Sequence, residues 1–299
     1  MNDSLDLLRE ALPYIQHFDG KVFIIKLSGK VTENKEYLKS LMEEVALFQQ
    51  VGFYVVLVHG GGKQLTEMAN KLDVPQTIVD GRRVTDGKTL ELAKMVFAGQ
   101  IRTDILSTLR QMGAKAVGIS GIDGNVLHAE RREAQAITNR ETGEKEMVDF
   151  GHVGDIVKVD TDLLRLLLNG GYIPVVSSLA ADDQGNVFNV NADTIAAEIA
   201  VHLKAEKLLL LSNVDGIYRD FSDPSTKINR LTLEEAKTLY NSSEISEGML
   251  PKLKSIIHLV ERGVKSAHII NGLRRNVLFK EIFTKAGTGT MIFQDGMTM

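Results

Sequence analysis

The sequence predicts an α/β fold in which helices cover both faces of a mainly parallel sheet, an αβα sandwich in two lobes. Three observations point that way. Seven short apolar runs recur along the 299 residues. They are continuous rather than alternating, as in strands buried on both faces. Stretches of helical spacing separate most of them.

Taken in order, residues 1–18, "MNDSLDLLREALPYIQHF", place Leu5, Leu8, Ala11, Leu12 and Ile15 on one helical face. "VFIIKL" (22–27) reads as a buried strand that closes on Lys26 and turns through Ser28-Gly29. Tyr37, Leu38, Leu41, Met42, Val45 and Phe48 make the next helical face. "FYVVLV" (53–58) is the second strand and runs into "HGGGK" (59–63), after which Leu92, Val96 and Phe97 recur at helical spacing. "KAVGIS" (115–120) and "YIPVVS" (172–177) are further strands. Between them "NVLHAERREAQAITNRETGEKEMVDF" (125–150) breaks the alternation and predicts a protruding β-hairpin around "NRETGEK". "AADDQGN" (180–186) is a seam between the halves, and "KLLLLS" (207–212), "AHII" (267–270) and "TMIF" (290–293) complete the strands. Thr232 with Glu235 predicts a capping box, and Pro251 suits the first turn of a helix.

Composition narrows the function. Cysteine is absent, which excludes thiol nucleophiles, thiolate zinc sites and disulfide frameworks. Lys plus Arg number 35 against 39 for Asp plus Glu, so a net charge of -4 gives no electrostatic case for nucleic acid or an anionic membrane. No apolar run reaches the length of a membrane span, and the first residues lack a basic leader pattern, so a cytoplasmic protein acting on a small molecule is expected.

Familiar motifs fail on spacing. A Walker A loop ending at Gly87-Lys88-Thr89 would need glycine where Arg82 stands. "HGGG" lacks a Gly-x-Ser-x-Gly elbow, because Ile122 follows Ser120-Gly121. No Gly-x-Gly-x-x-Gly opens a helix after a strand. What remains is a set of glycine-rich strand ends: Ser28-Gly29, Gly60 to Gly62, Gly121 with Gly124, and Asn213 to Gly216. Carboxyl ends of parallel strands share one edge, where open α/β sheets bind ligands and backbone N–H groups meet anions. Each cluster by itself is usually just a turn, and four on one edge raise the functional reading. Lys26, Lys252 and Asp193, taken singly, read first as a solvated lysine, a helix-surface lysine and a helix N-terminal acid, ahead of any catalytic role.

The order of "IIKLSGK", "VHGGGKQL", "DGRRVTD", "GHVGDI", "NVNADTIAAEIA", "EGMLPKL", "INGLRRNVLFKEIF" and "GTGTMI" resembles the amino acid kinase family over nearly the whole chain, most closely its N-acetylglutamate kinase branch. The resemblance implies that fold, with an acyl-substrate lobe at 21–180 and an ATP lobe at 181–299. It implies ATP-dependent phosphorylation of the γ-carboxylate of N-acetyl-L-glutamate, the second step of arginine biosynthesis, with Mg²⁺ held by the ATP phosphates and no protein metal site. Neighbouring readings are a kinase for carrier-linked aminoadipate or glutamate, and a non-catalytic amino-acid sensor. By the same resemblance Lys26 and Lys252 neutralise the phosphoryl group in flight and Asp193 orients both. Gly61, Gly62, Arg83 and Asn189 hold the acyl substrate, and Gly29, Asn213, Gly216 and Met249 hold nucleotide and phosphate. A carboxylate nucleophile with a pKa near ~4.3 is already ionised, so no base is required, and His59 is read as a structural histidine under the glycine loop.

Four positions depart from the family pattern: Ser28 for the first loop glycine, Lys63, Arg82, and Glu247 for a usual glycine. "ALPYIQHF" resembles the amino-terminal arm of arginine-inhibited members. It implies an oligomerisation arm at 1–20, a homo-hexamer built as a trimer of dimers or otherwise a dimer, and an L-arginine site at Tyr14, Lys207, His268, Glu281 and Gly287.

Overall fold

A computed structural model describes residues 3–138, 145–242, 244–245, 249–284 and 287–295. Glu247 and the hairpin tip at 139–144 lie outside the described residues, as do the side chains of Leu5 and Leu8.

All seven apolar runs are strands of one eight-stranded sheet. Its order is Arg230–Thr232, Thr290–Phe293, Ser266–Asn271, Lys207–Ser212, Val22–Leu27, Tyr54–His59, Ile173–Ser177 and Ala116–Ser120. Neighbours are parallel except that Thr290–Phe293 runs antiparallel to Ser266–Asn271. Arg230–Thr232 was not legible as a strand, because only Leu231 of its three residues is buried, as befits a short sheet edge.

The pleat sorts side chains between two cores. Phe23, Ile25 and Leu27 point to one face, where the helices Lys35–Gln50 and Val277–Phe283 pack; Ile24 points to the other, beneath the helix Ala192–His202. Period two puts Lys26 on the Ile24 face and so directs it toward that helix. Leu38, Leu41, Met42, Val45 and Phe48 are buried as their spacing predicts, whereas Tyr37 at the margin of the stripe is exposed. Phe18, Phe23, Phe48, Phe53, Phe279 and Phe283 form a continuous aromatic cluster under the sheet.

Asp3–Phe18 is a helix whose covered face keeps Ala11 and Ile15 of the expected stripe half-buried and is displaced toward Tyr14 and Phe18. Phe18 is buried and Tyr14 meets Phe283 edge-on, while Leu12 stays exposed. The hairpin is divided: Gln135–Thr138 pairs antiparallel with Lys145–Val148, and Leu127–Arg131 pairs with Gly154–Val159 in a separate four-stranded sheet. The capping box at Thr232 and Glu235 is formed on both sides, at 3.2 and 2.7 Å. Among the described residues no helix is long and apolar enough to cross a membrane.

Candidate active site

The carboxyl ends of the Val22–Leu27 and Tyr54–His59 strands sit side by side, with Leu27 in register with His59. Each strand passes through a short loop into a helix, Gly29–Glu33 after the first and Gly62–Lys71 after the second. Ser28 precedes the first helix in ordinary extended backbone, φ -79° and ψ 154°. Any residue adopts that conformation, which explains why serine is tolerated where the family pattern has glycine. Gly61 is a different case: a Cβ there would lie 2.3 Å from Ile101 Cδ1 and 2.8 Å from the Phe97 ring, so any side chain would have to displace both. A Cβ on Gly62 would meet open space.

Lys26 Nζ lies 2.9 Å from Asp193 Oδ1. The carboxylate is set by the first turn of the Ala192–His202 helix, whose N-cap Asn191 accepts from the amides of Asp193 and Thr194 at 2.7 and 3.4 Å. Lys252 occupies the first turn of Leu250–Glu261, half-buried, and burial lowers its pKa. Among the described residues no hydrogen bond or ion pair reaches its ammonium, so Asp193 holds one of the two lysines here rather than both. Met249 stands buried at the head of the same helix, its carbonyl accepting from the amides of Lys252 and Leu253 at 3.1 and 3.0 Å.

Arg83 reaches back to the second loop. It donates to Gly62 O and to Thr66 Oγ1, each at 2.8 Å, and to Gln76 Oε1; burial lowers its pKa. Asn189 Nδ2 donates to Thr85 Oγ1 at 3.2 Å, two residues from Arg83, so both expected acyl-side residues border the same loop region. On the other side, Asn213 is exposed at the end of Lys207–Ser212. Gly216 has φ 139° and would place a Cβ 2.5 Å from Thr290 Oγ1, so both conformation and space require glycine. Asp215 anchors this loop through Asn271 Nδ2 at 2.9 Å and Arg274 Nη2 at 2.6 Å. Sequence reasoning missed that anchor, because its partners lie 56 and 59 residues away.

His59 is fully buried, with Nδ1 2.9 Å from Gly60 O. Burial first, and the charge of Arg102 after it, push its pKa down to about 4, so the neutral ring donates to Gly60 O and braces the glycine loop. Its Nε2 has no partner, and neither do Ser28 Oγ, Glu33 Oε1 and Gln64 Oε1. Four of the five unpartnered buried polar atoms among the described residues therefore lie at these two loops and the helices they open. Unmet polar capacity concentrated in one place is what a site awaiting a polar ligand presents. Among the described residues no three His, Cys, Asp or Glu side chains gather to hold a metal.

A cavity of about 380 Å³ opens beside the amino-terminal helix, and Tyr14, Lys207, His268, Glu281 and Gly287 all line it. Glu281 Oε1 lies 2.6 Å from His268 Nδ1, and its Oε2 accepts from the amides of Thr288 and Gly289 at 2.5 and 2.9 Å. Burial would raise the Glu281 pKa, but the His268 contact and these amides outweigh it and bring it to about 2. His268 is pushed down to about 4 by burial and the nearby Lys207 ammonium, whose Nζ lies 3.4 Å from Nε2. A neutral imidazole thus links a lysine to a carboxylate.

The sequence pattern of the amino acid kinase family matches residues 21–271. The acetylglutamate kinase of Methanocaldococcus jannaschii is 44% identical over 295 residues, covering 99% of this chain and 98% of its own length. Among solved structures, the N-acetylglutamate synthase of Neisseria gonorrhoeae with coenzyme A and N-acetyl-glutamate superimposes with a TM-score of 0.79 at 29% identity. The match covers 98% of this chain and 64% of that one. The same synthase with coenzyme A and L-arginine gives 0.78 at 28% identity, covering 97% and 65%. Giardia carbamate kinase, at 16% identity and a TM-score of 0.67 over 92% of this chain and 99% of its own, shares the fold.

Proposed function

The chain belongs to the amino acid kinase family, and from that premise we propose that it transfers the γ-phosphoryl group of ATP to the γ-carboxylate of N-acetyl-L-glutamate. The observation that carries the reading is the Lys26–Asp193 pair at 2.9 Å on the carboxyl edge of the sheet, between two glycine loops. A carboxylate oxygen attacks phosphorus as the bond to the ADP oxygen breaks, and no proton need move. The obstacle is repulsion between anions. Lys26 and Lys252 oppose it, and amides of Gly29, Gly61 and Gly62 donate to the phosphoryl and acyl oxygens. Arg83 and Asn189 receive the α-carboxylate, a geometry suited to a planar guanidinium. Asn213, Gly216 and Met249 flank the nucleotide, and Mg²⁺ enters on the ATP phosphates as part of the substrate. Residues 21–180 then form the acyl lobe and 181–299 the ATP lobe of a cytoplasmic enzyme.

Hydroxylamine trapping tests this directly. Purified protein with ATP, Mg²⁺ and N-acetyl-L-glutamate should yield the hydroxamate. Product only from carrier-linked aminoadipate or glutamate would move the substrate, and no hydroxamate from any acid would indicate a sensor.

A second reading concerns regulation, supported by the convergence of five residues on one cavity. Glu281 would pair the guanidinium of L-arginine and Lys207 its α-carboxylate. The exposed Leu12 on the amino-terminal helix supports an arm that packs on another subunit. Inhibition requires arginine to favour the less active geometry. The full chain should be an arginine-inhibited hexamer, and removal of residues 1–20 should leave an active, insensitive dimer. A full-length dimer indifferent to millimolar arginine by light scattering and assay would refute this reading.

A further inference from the structure

The two glycine loops are joined by a short chain of hydrogen bonds between the helices they open. Gln64 Nε2 donates to Thr32 Oγ1 at 2.8 Å, and Thr32 Oγ1 donates to Gly29 O at 3.0 Å. Their direction is forced: a hydroxyl has one proton, a carbonyl only accepts, so Thr32 gives its proton to Gly29 and accepts from Gln64. Gln64 lies in the first turn of the Gly62–Lys71 helix, opened by the second loop, and Thr32 lies in the Gly29–Glu33 helix, opened by the first. Gln64 is buried, and its Oε1 is unpartnered, 3.8 Å from where a Cβ on Gly29 would stand. A buried amide whose nitrogen donates to the helix opened by the neighbouring loop ties the two loops together. A second tie, Lys63 Nζ to Glu33 Oε2 at 2.6 Å, joins the same helices at the rim, where exposure of the lysine weakens it.

We propose that Gln64 is a positioning residue for phosphoryl transfer, clamping the phosphate-side loop to the acyl-side loop through Thr32. The inference rests on the proposed reaction, in which Gly29 meets the γ-phosphoryl group and Gly61 and Gly62 meet the carboxylate. In-line transfer depends on the separation of those two groups, and small errors in it are costly in rate. The clamp sets that separation through Gln64 Nε2 and Thr32 Oγ1, so its loss acts on kcat and leaves binding in place.

The test compares Gln64→Met, Thr32→Val, Thr32→Ser and the Gln64→Met/Thr32→Val pair in the hydroxamate assay. Gln64→Met and Thr32→Val should each lower kcat about 10- to 100-fold, with both KM values within about twofold of wild type. The double variant should fall no further than the worse single one, because both break one chain. Thr32→Ser keeps the hydroxyl and should restore the rate. Unchanged kcat, multiplying losses, a change confined to KM, or Thr32→Ser as slow as Thr32→Val would each overturn the inference. Amide hydrogen exchange over residues 29–33 gives a readout free of activity: Gln64→Met should accelerate it, and unchanged exchange refutes the clamp. A wild-type chain that forms no hydroxamate refutes the proposed reaction instead, and the exchange result still decides the clamp.

Discussion

Two lysine and carboxylate sites lie at opposite ends of neighbouring strands, and they are built on opposite principles. Lys26 and Asp193 meet at the carboxyl edge with side chains 17% and 44% exposed, beside loops that leave four buried polar atoms without partners. Lys207 opens the adjacent strand, level with Phe23, and reaches Glu281 through a buried histidine. There Glu281 takes the imidazole and two backbone amides, and no buried polar atom of that group is left unmet among the described residues. The difference teaches how far each place is built without a ligand. A satisfied buried network holds its own shape and presents a preformed wall to a ligand, whereas an unsatisfied edge is completed only by one.

The largest expected effect tests the satisfied site. Glu281→Ala strands His268 and two amides in a buried setting, and should lower unfolding free energy by about 3–5 kcal/mol, measured by urea denaturation. A loss below about 1 kcal/mol, the size of a surface ion pair, would erase the contrast. At the open edge the balance reverses. Lys252→Ala should cut kcat by roughly 100-fold while leaving the denaturation midpoint unchanged, and an unaltered kcat would remove this lysine from the chemistry.

Glu44 tests the border between the regions. It is buried on the Lys35–Gln50 helix, accepts from the Phe279 amide at 2.9 Å, and caps the helix that carries Glu281. Burial pushes its pKa up to about 7 against the hydrogen bonds from the Val277 to Phe279 amides. A raised folded pKa means that the native state holds the proton longer, so this stabilisation is complete below the unfolded value of 4.5 and is lost as pH rises through about 7. Wild type should lose on the order of 3 kcal/mol across that window from this group. Glu44→Gln should remove that part of the slope. Parallel pH profiles for the two proteins would contradict the assignment. The smallest effect is expected at Ser28, whose hydroxyl is buried and unpartnered. Ser28→Ala should hold or raise stability by less than about 1 kcal/mol, because removing an unmet polar group releases its desolvation cost. A lower melting temperature would show that the hydroxyl is satisfied after all.

What the sequence determined by itself was whatever depends on neighbours within a few residues. Continuous apolar runs sufficed for seven strands of the sheet, and the capping box at Thr232 was readable because its partners are three residues apart. Lys26 and Asp193 could be named from motif resemblance, and strand periodicity places Lys26 on the face that meets the Ala192–His202 helix. Tertiary structure alone decided the rest. Gly61 is pressed by the bulk of Ile101 and Phe97, Gly216 is required by its φ and Thr290, and the Gln64 clamp is made to a residue 32 positions away. The arm shows the same division: its amphipathic spacing is in the sequence, but burial of Phe18 and exposure of Leu12 follow from the aromatic cluster it meets. Local backbone preference is written in adjacent residues, whereas steric exclusion, burial and the pairing of distant polar atoms exist only once the chain has brought those surfaces together.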